Sequence, residues 1–285
     1  MTPRPCALVV DSGAVLPVPL LPGTTVIPLR IAFGDEVLRD GIDITPDDFY
    51  RRLEGGERAT TSTPSAGEYL EAFKNADGDE VICLTLPKQL SAMYATANMA
   101  AQMVRESGDT RRITVIDTGS AAAGLGLIAR VAAELCADEA PAVSVRGRVV
   151  EACGEVRMFG TLRTLTYLAR GGHVPSIAAG VSSVLDIRPV LELRGGEVHR
   201  YAMVRTGSHA LAMLREITEK AFAADTRLWV LAFHSGDEGG ASAVLETVRS
   251  VRTIAREEVI PLTPALGAHT GPGMTGFAAM PVTAA

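Results

Sequence analysis

Residues 7–10 (ALVV), 81–86 (VICLTL) and 113–116 (ITVI) are continuous apolar runs, and helical patterns lie between them. A strand with one wet face alternates polar and apolar residues, whereas an unbroken apolar run must be buried on both faces. Helices between such strands supply the cover, so the pattern predicts a parallel sheet with helices on each side. The helices are expected over 66–75, over about 15 residues from Ser91, and over 120–136. In sheets of this kind ligands bind beyond the carboxyl ends of the strands. Asp11-Ser12, residues 87–91 and residues 117–120 fall there.

Before this alternation, residues 25–31 and 36–39 flank Phe33-Gly34-Asp35 and read as a hairpin. Thr45-Pro46-Asp47-Asp48 then starts a helix with a threonine cap, proline at the first position and acids in the first turn. Gly55-Gly56 stops it. The polar break 137–142 (ADEAPA) precedes a domain boundary placed at residue 155. Beyond it, a strand at 156–159 and helices at 162–169 and 176–184 precede strands 187–193 and 198–204, which Arg194-Gly195-Gly196 joins as a hairpin. A helix (208–223), a strand (228–233), a helix (240–255) and strands near 258–262 and 276–281 close the chain. The expected architecture is α/β in two domains. Residues 1–155 form a parallel-sheet α/β/α domain, and residues 156–285 a mixed α/β domain.

Composition narrows the function classes. A chain of 285 residues, 47% hydrophobic and 21% charged, can bury a large core. Its net charge of −6, with basic residues scattered among acids, argues against a nucleic-acid surface. Arg4 precedes an apolar run that Asp11 ends far short of a signal sequence, and no run approaches the ~20 apolar residues of a membrane helix. A cytoplasmic location is expected. Cys6, Cys83, Cys136 and Cys153 form no CxxC pair and sit in apolar segments, so buried free thiols are expected rather than disulfides or zinc ligands. No two histidines stand at metal-ligand spacing. The GxGxxA pattern at 124–129 begins seven residues past Asp117, inside a helical pattern, and reads as helix packing. There is no GxxxxGK[ST], GxSxG or HExxH.

Two stretches concentrate polar chemistry. Residues 60–65 (TTSTPS) hold five hydroxyls; Ser65 with Glu68 is a capping box that starts a helix at Ala66, and Pro64 keeps the hydroxyls extended ahead of it. Capping alone accounts for part of this. Hydroxyls before a helix N-terminus also suit a carboxylate or phosphate. The second stretch, Gly267-Ala268-His269-Thr270-Gly271-Pro272-Gly273, reads as a glycine-rich loop in unusual backbone conformations, presenting His269 and Thr270 to an anion.

Taken together these motifs resemble the DegV-like fatty-acid-binding proteins. The resemblance rests on TSTPS, on HTGPG at 269–273, and on Arg39-Asp40-Gly41-Ile42-Asp43-Ile44-Thr45 followed by Phe49-Tyr50. It also rests on Leu90-Ser91 with Tyr94, on Val115-Ile116-Asp117-Thr118, and on Leu185-Asp186-Ile187-Arg188-Pro189. It spans essentially the whole chain. It implies a long-chain fatty acid such as palmitate, stearate or oleate buried between the two domains, its carboxylate held by Thr61, Ser62, Ser91, His269 and Thr270, with Gly271 beside them. Met93, Met99, Ile177 and Val184 are candidate tunnel residues. It also implies a non-enzymatic role in a fatty acid kinase system, presenting the acid to a separate ATP-binding subunit, with no metal and no cofactor beyond the lipid. Ala92-Met93 replace the family's Gly-Thr after Ser91, and His173 replaces an arginine on the partner-facing surface. Two other classes remain open from the residues: a stand-alone hydrolase or acyl transferase using Ser91 or Ser62 with His269, and a lipid-responsive regulator.

Overall fold

The structure, a computed structural model, describes residues 4–16, 23–171 and 187–282. In chain order its first half runs β1 (Cys6–Asp11), β2 (Thr24–Ile27), β3 (Arg30–Phe33), β4 (Glu36–Arg39), α1 (Pro46–Glu54), β5 (Ala59–Ser62), α2 (Ala66–Asn75), β6 (Glu80–Thr85), α3 (Met93–Glu106), β7 (Arg112–Asp117), α4 (Ala122–Ala137) and α5 (Ala142–Glu155). Strands β2-β1-β6-β7 form a sheet in that order, all parallel. Every residue of β1 and β6 is buried, as their unbroken apolar runs require.

The expected hairpin arm at 25–31 divides at Pro28. Proline offers no N–H to a ladder, and β2 stays in the parallel sheet while β3 pairs with β4 and β5 in a separate antiparallel sheet, order β4-β3-β5. This small sheet carries the hydroxyl stretch. The α1 and α2 boundaries follow their signals: Thr45 accepts the Asp48 N–H, and Ser65 and Glu68 complete a reciprocal capping box. Helix α5 fills the stretch between the polar break at 137–142 and the boundary at 155, to which the sequence pattern assigns no element. Its buried residues Val145, Val149 and Ala152 recur at helical spacing, but Val143 and Val150 are exposed and blur the pattern.

The second half runs β8 (Arg157–Thr161), α6 (Thr166–Gly171), β9 (Arg188–Arg194), β10 (Glu197–Val204), α7 (Gly207–Ala221), β11 (Arg227–His234), α8 (Glu238–Arg249), β12 (Thr253–Pro261), α9 (Pro264–Thr270) and β13 (Thr275–Pro281). The sheet order is β10-β9-β8-β13-β11-β12; β11 and β12 are parallel and the other neighbours antiparallel. Three expectations are corrected. Helix α6 starts at Thr166, where the Thr164 hydroxyl accepts the Thr166 N–H, rather than at 162. Helix α8 ends at Arg249, and the β-branched pair Thr253-Ile254 already belongs to β12. A short helix, α9, stands where a loop was expected around His269. The helix expected at 176–184 lies outside the described residues.

Helix α4 ties the two large sheets together. Thirteen of its 16 residues are buried, so it has no solvent face; it packs against β1 and β6 on one side and β8, β11 and β13 on the other. A helix squeezed between two sheets favours small residues. A Cβ at Gly126 would strike the Val15 carbonyl, and one at Gly124 the Ser120 side chain. The glycine pattern at 124–129 is packing, as read. The four-free-thiol expectation is corrected: Cys6, at the start of β1, is disulfide-bonded to Cys136 near the end of α4, with Cα atoms 5.8 Å apart across 130 residues of sequence. Sequence spacing could not show that β1 and α4 run side by side. Cys83 and Cys153 are free.

Candidate functional site

The hydroxyl stretch and the histidine come together. In β5 the Thr61 Oγ1 lies 2.7 Å from His269 Nε2 and shares a hydrogen bond with it, across 208 residues of sequence. Thr61 is placed by pairing with Ile31 of β3, and Ser62 by pairing with Arg30. His269 sits in the last turn of α9, which packs on β5 and β3. Beyond it the chain turns at Gly271 (φ 70°) and Gly273 (φ 79°), conformations that favour glycine. Fully buried Ser235 pins this turn. Its hydroxyl donates to the Gly271 carbonyl at 2.7 Å and accepts the Met274 N–H at 2.7 Å, and its carbonyl accepts the Gly273 N–H at 2.6 Å.

Three hollows meet here. A cavity of about 210 Å³ is lined by Thr61, Ser62, Ser91 and His269 at one end and by Leu29, Leu86 and Leu90 along its walls. A second, almost wholly apolar cavity of about 120 Å³, bordered by Met158, Phe159, Leu191, Leu193 and Met274, shares Leu90, Ala121, Leu168, Val198 and Leu266 with the first. The two adjoin along those five shared residues, an apolar tunnel in two segments. A polar recess of about 690 Å³, bearing Glu57, Arg58, Tyr167 and Arg170, touches the first cavity at Thr61 and His269. The Thr61–His269 pair therefore stands at the junction between a dry tunnel and an outer polar recess.

The six residues singled out from sequence do not all converge. Thr61, Ser62, Ser91 and His269 line the first cavity. The Ser91 hydroxyl accepts the Met93 N–H at 3.3 Å, closing the turn into α3. Thr270 borders the inner apolar cavity instead, and its hydroxyl donates to the Leu266 carbonyl at 3.2 Å within α9. Gly271 serves the turn; a Cβ there would run into the Tyr167 ring. At the α2 N-terminus the Glu68 carboxylate takes the Ser65 N–H at 2.9 Å and pairs with Arg30, completing the capping box. Of the proposed tunnel residues, Met93 is buried and takes a hydrogen bond from the Tyr69 hydroxyl, and Met99 is exposed on α3. Ile177 and Val184 lie outside the described residues.

Asp11, which the sequence places at the ligand end of β1, is buried near a second buried acid, Asp40, a proximity that sequence does not show. Asp11 accepts the Gly13 N–H at 2.9 Å and the Leu86 N–H at 2.7 Å, and burial pushes its carboxyl up to about 7 despite both bonds, with nearby Asp40 adding to the rise. Burial also raises the Asp40 carboxyl. The readable signal was an acid ending an apolar strand before Ser-Gly. His234, at the end of β11, is half-buried, and desolvation lowers its pKa. Among the described residues no group of three or more His, Cys, Asp or Glu is placed to hold a metal ion, and no helix is long and apolar enough to cross a membrane.

Two sheets packed on a shared helix thus enclose apolar cavities that adjoin a hydroxyl–imidazole pair. A family model described as "Uncharacterised protein, DegV family" matches residues 5–282, and the chain belongs to the DegV family. A DegV domain-containing protein of Streptomyces coelicolor is 33% identical over 96% of this chain and 97% of its own length. A fatty acid-binding protein of Thermotoga maritima is 29% identical over 80% of each chain. A fatty-acid-binding DegV family protein from Thermus thermophilus, solved as a structure, superposes with a TM-score of 0.88, 28% identity, and coverage of 98% of this chain and all of its own.

Proposed function

We propose that this protein binds one long-chain fatty acid, such as palmitate, stearate or oleate, between a domain of residues 1–155 and one of 156–285. The acyl chain lies in the apolar tunnel and the carboxylate against Thr61, Ser62, Ser91 and His269. The observation that carries the reading is the Thr61–His269 hydrogen bond at the mouth of an apolar tunnel. A carboxylate leaving water needs several donors, and these side chains supply them. Each methylene buried contributes ~0.8 kcal/mol, or about 10 kcal/mol for a sixteen-carbon chain before ordering costs. The fatty-acid-binding relatives support the same ligand class.

Presentation to a separate ATP-binding kinase subunit accounts for the rest. The tunnel's polar end abuts the recess bearing Arg58 and Arg170, where a carboxylate would be reached from outside while its chain stays buried. The protein would then be the substrate-presenting member of a cytoplasmic fatty acid kinase system, with no catalytic residue of its own. The Ser91 hydroxyl, engaged by the Met93 N–H, favours binding over nucleophilic attack. Calorimetric titration with oleate tests the binding: micromolar affinity or better is expected, weakened by Ser62→Ala and by His269→Ala. Unchanged affinity in both variants would refute the site. Incubation with the kinase subunit, ATP and hydroxylamine is expected to give a fatty hydroxamate; none forming from a loaded protein would refute the presentation role.

A further inference from the structure

Asp40 belongs to the Arg39-Asp40-Gly41 stretch, which the head-group site does not use, yet its side chain is almost wholly buried, 2% exposed, and bonded at both oxygens. Oδ2 accepts the Ser12 hydroxyl at 2.6 Å, and Oδ1 accepts the Ala265 backbone N–H at 3.0 Å, 225 residues away in sequence. Ala265 is the second residue of α9. The N-cap residue of that helix, Thr263, makes no capping bond to its own helix; its hydroxyl donates instead to the Ser12 carbonyl at 3.1 Å. Ser12 in turn is fixed by the Leu29 N–H on its hydroxyl at 3.0 Å and by donating its own N–H to Ile27 at 2.9 Å.

A helix of seven residues has no stability of its own and is held by its contacts: α9 packs on α6, α1, β5 and β3, and Ser235 fixes the turn that follows it. Helix α9 is anchored at both ends by the same small sheet. At its start Asp40, the residue following β4, receives the Ala265 N–H; at its end His269 meets Thr61 of β5. Both anchors are set by one register, because Arg30 of β3 pairs with Arg39 on one side and Ser62 on the other. A slip at Asp40 would move His269 relative to Thr61, since only about one helical turn of α9 separates the two contacts.

We propose that Asp40, held by Ser12, is the positioning residue of the head-group site: it fixes the angle of α9 and so the Thr61–His269 hydrogen bond, a role that rests on the fatty-acid reading for its function but not for its geometry. Asp40 lines neither the tunnel nor the recess, so it acts through the residues it holds: α9, and Ser12 with Leu29, which lines the first cavity.

The test uses the full chain labelled with ¹⁵N-histidine and reads the His269 ring nitrogens by long-range NMR correlation, assigned with His269→Gln. Thr61→Val gives the signature of a broken pair. Asp40→Ala is expected to move the His269 Nε2 resonance the same way as Thr61→Val, leaving exposed His199 and His209 in place. Asp40→Asn keeps an acceptor for the Ala265 N–H and offers its amide to the second lone pair of the Ser12 hydroxyl; it is expected to restore the wild-type signal. Ser12→Ala, the milder lesion, is expected to give a partial shift and decides the matter if Asp40→Ala does not fold. In parallel, Asp40→Ala is expected to weaken oleate binding at least tenfold and Asp40→Asn by less than threefold. A lowered melting temperature with unmoved His269 signals in the folded Asp40→Ala and Ser12→Ala variants would overturn the proposal, leaving Asp40 a stabilising residue only. Failure of wild-type protein to bind oleate would sink the fatty-acid reading, while the imidazole signals would still decide the role of Asp40.

Discussion

Replacing Thr61 with valine removes one oxygen and leaves a β-branched side chain of the same shape in a strand, so the perturbation is confined to the 2.7 Å contact with His269 and to whatever the hydroxyl offers a ligand. The pair is partly buried; losing a neutral hydrogen bond there costs about 1 kcal/mol, and losing one to a ligand carboxylate about 1.5–3 kcal/mol. The first acts on the protein alone and the second on binding, so a loss of about 1.5–3 kcal/mol is predicted, roughly 10- to 150-fold in oleate affinity. Displacement of a fluorescent fatty acid reads this directly, with oleyl alcohol as the control, since it fills the tunnel without a carboxylate and should lose far less. His269→Ala should cost a similar amount, and the double variant should fall well short of the sum, because each change breaks the same contact. Wild-type affinity in Thr61→Val, equal losses for acid and alcohol, or strict additivity would each refute the reasoning.

Other consequences follow from particular residues. Native Asp11 keeps its proton up to about pH 7, whereas the unfolded carboxyl releases it near 3.8, so the folded state binds more protons between these values and stability falls as pH rises through that window. Urea melts at pH 5 and pH 8 should show wild type less stable at pH 8, and Asp11→Asn should abolish the difference; a slope unchanged in Asp11→Asn would assign it elsewhere. Gly271→Ala places a Cβ against the Tyr167 ring at a φ of 70° and should displace the end of α9, weakening oleate binding by more than tenfold in a still-folded protein; unaltered binding would show that the turn does not set His269. Ala121→Phe, at the waist shared by the two cavities, should shift preference toward shorter acids at ~0.8 kcal/mol for each methylene excluded, read as a reversal of the laurate-to-stearate affinity ratio. Cys136→Ser opens a loop of 130 residues and should cost about 2–5 kcal/mol of stability in denaturant melts, with reduced wild type matching it.

The fold was legible wherever a local signal coincided with the tertiary demand. The runs at 7–10 and 81–86 are strands buried on both faces, whereas 113–116 forms the edge strand β7 and is only half-buried; Thr45 and Ser65 marked helix starts that the structure keeps. Pro28 was a visible break, but nothing local says that the segment before it joins one sheet and the segment after it another. The site was half legible. Hydroxyls at 60–65 and a histidine among glycines are unusual compositions, and each pointed to an anion. Their meeting depends on α9 being a helix; of the glycines that made the stretch look like a loop, Gly267 lies within that helix and Gly271 and Gly273 follow its end. Thr270 looked like a partner of His269 because it is its neighbour, yet adjacent helical residues face different ways and it borders the inner cavity. Asp40 and the Cys6–Cys136 bond were invisible for one reason: both join segments more than a hundred residues apart through a packing that no local pattern encodes.

Native mass spectrometry of the protein as purified, followed by denaturation and identification of what is released, tests the central claim most directly. The account predicts close to one fatty acid of about C14–C18 length per chain, long enough for burial of the acyl chain to offset the cost of ordering it. An empty protein that also takes up no added oleate would contradict it, and the tunnel would have to be explained by another ligand.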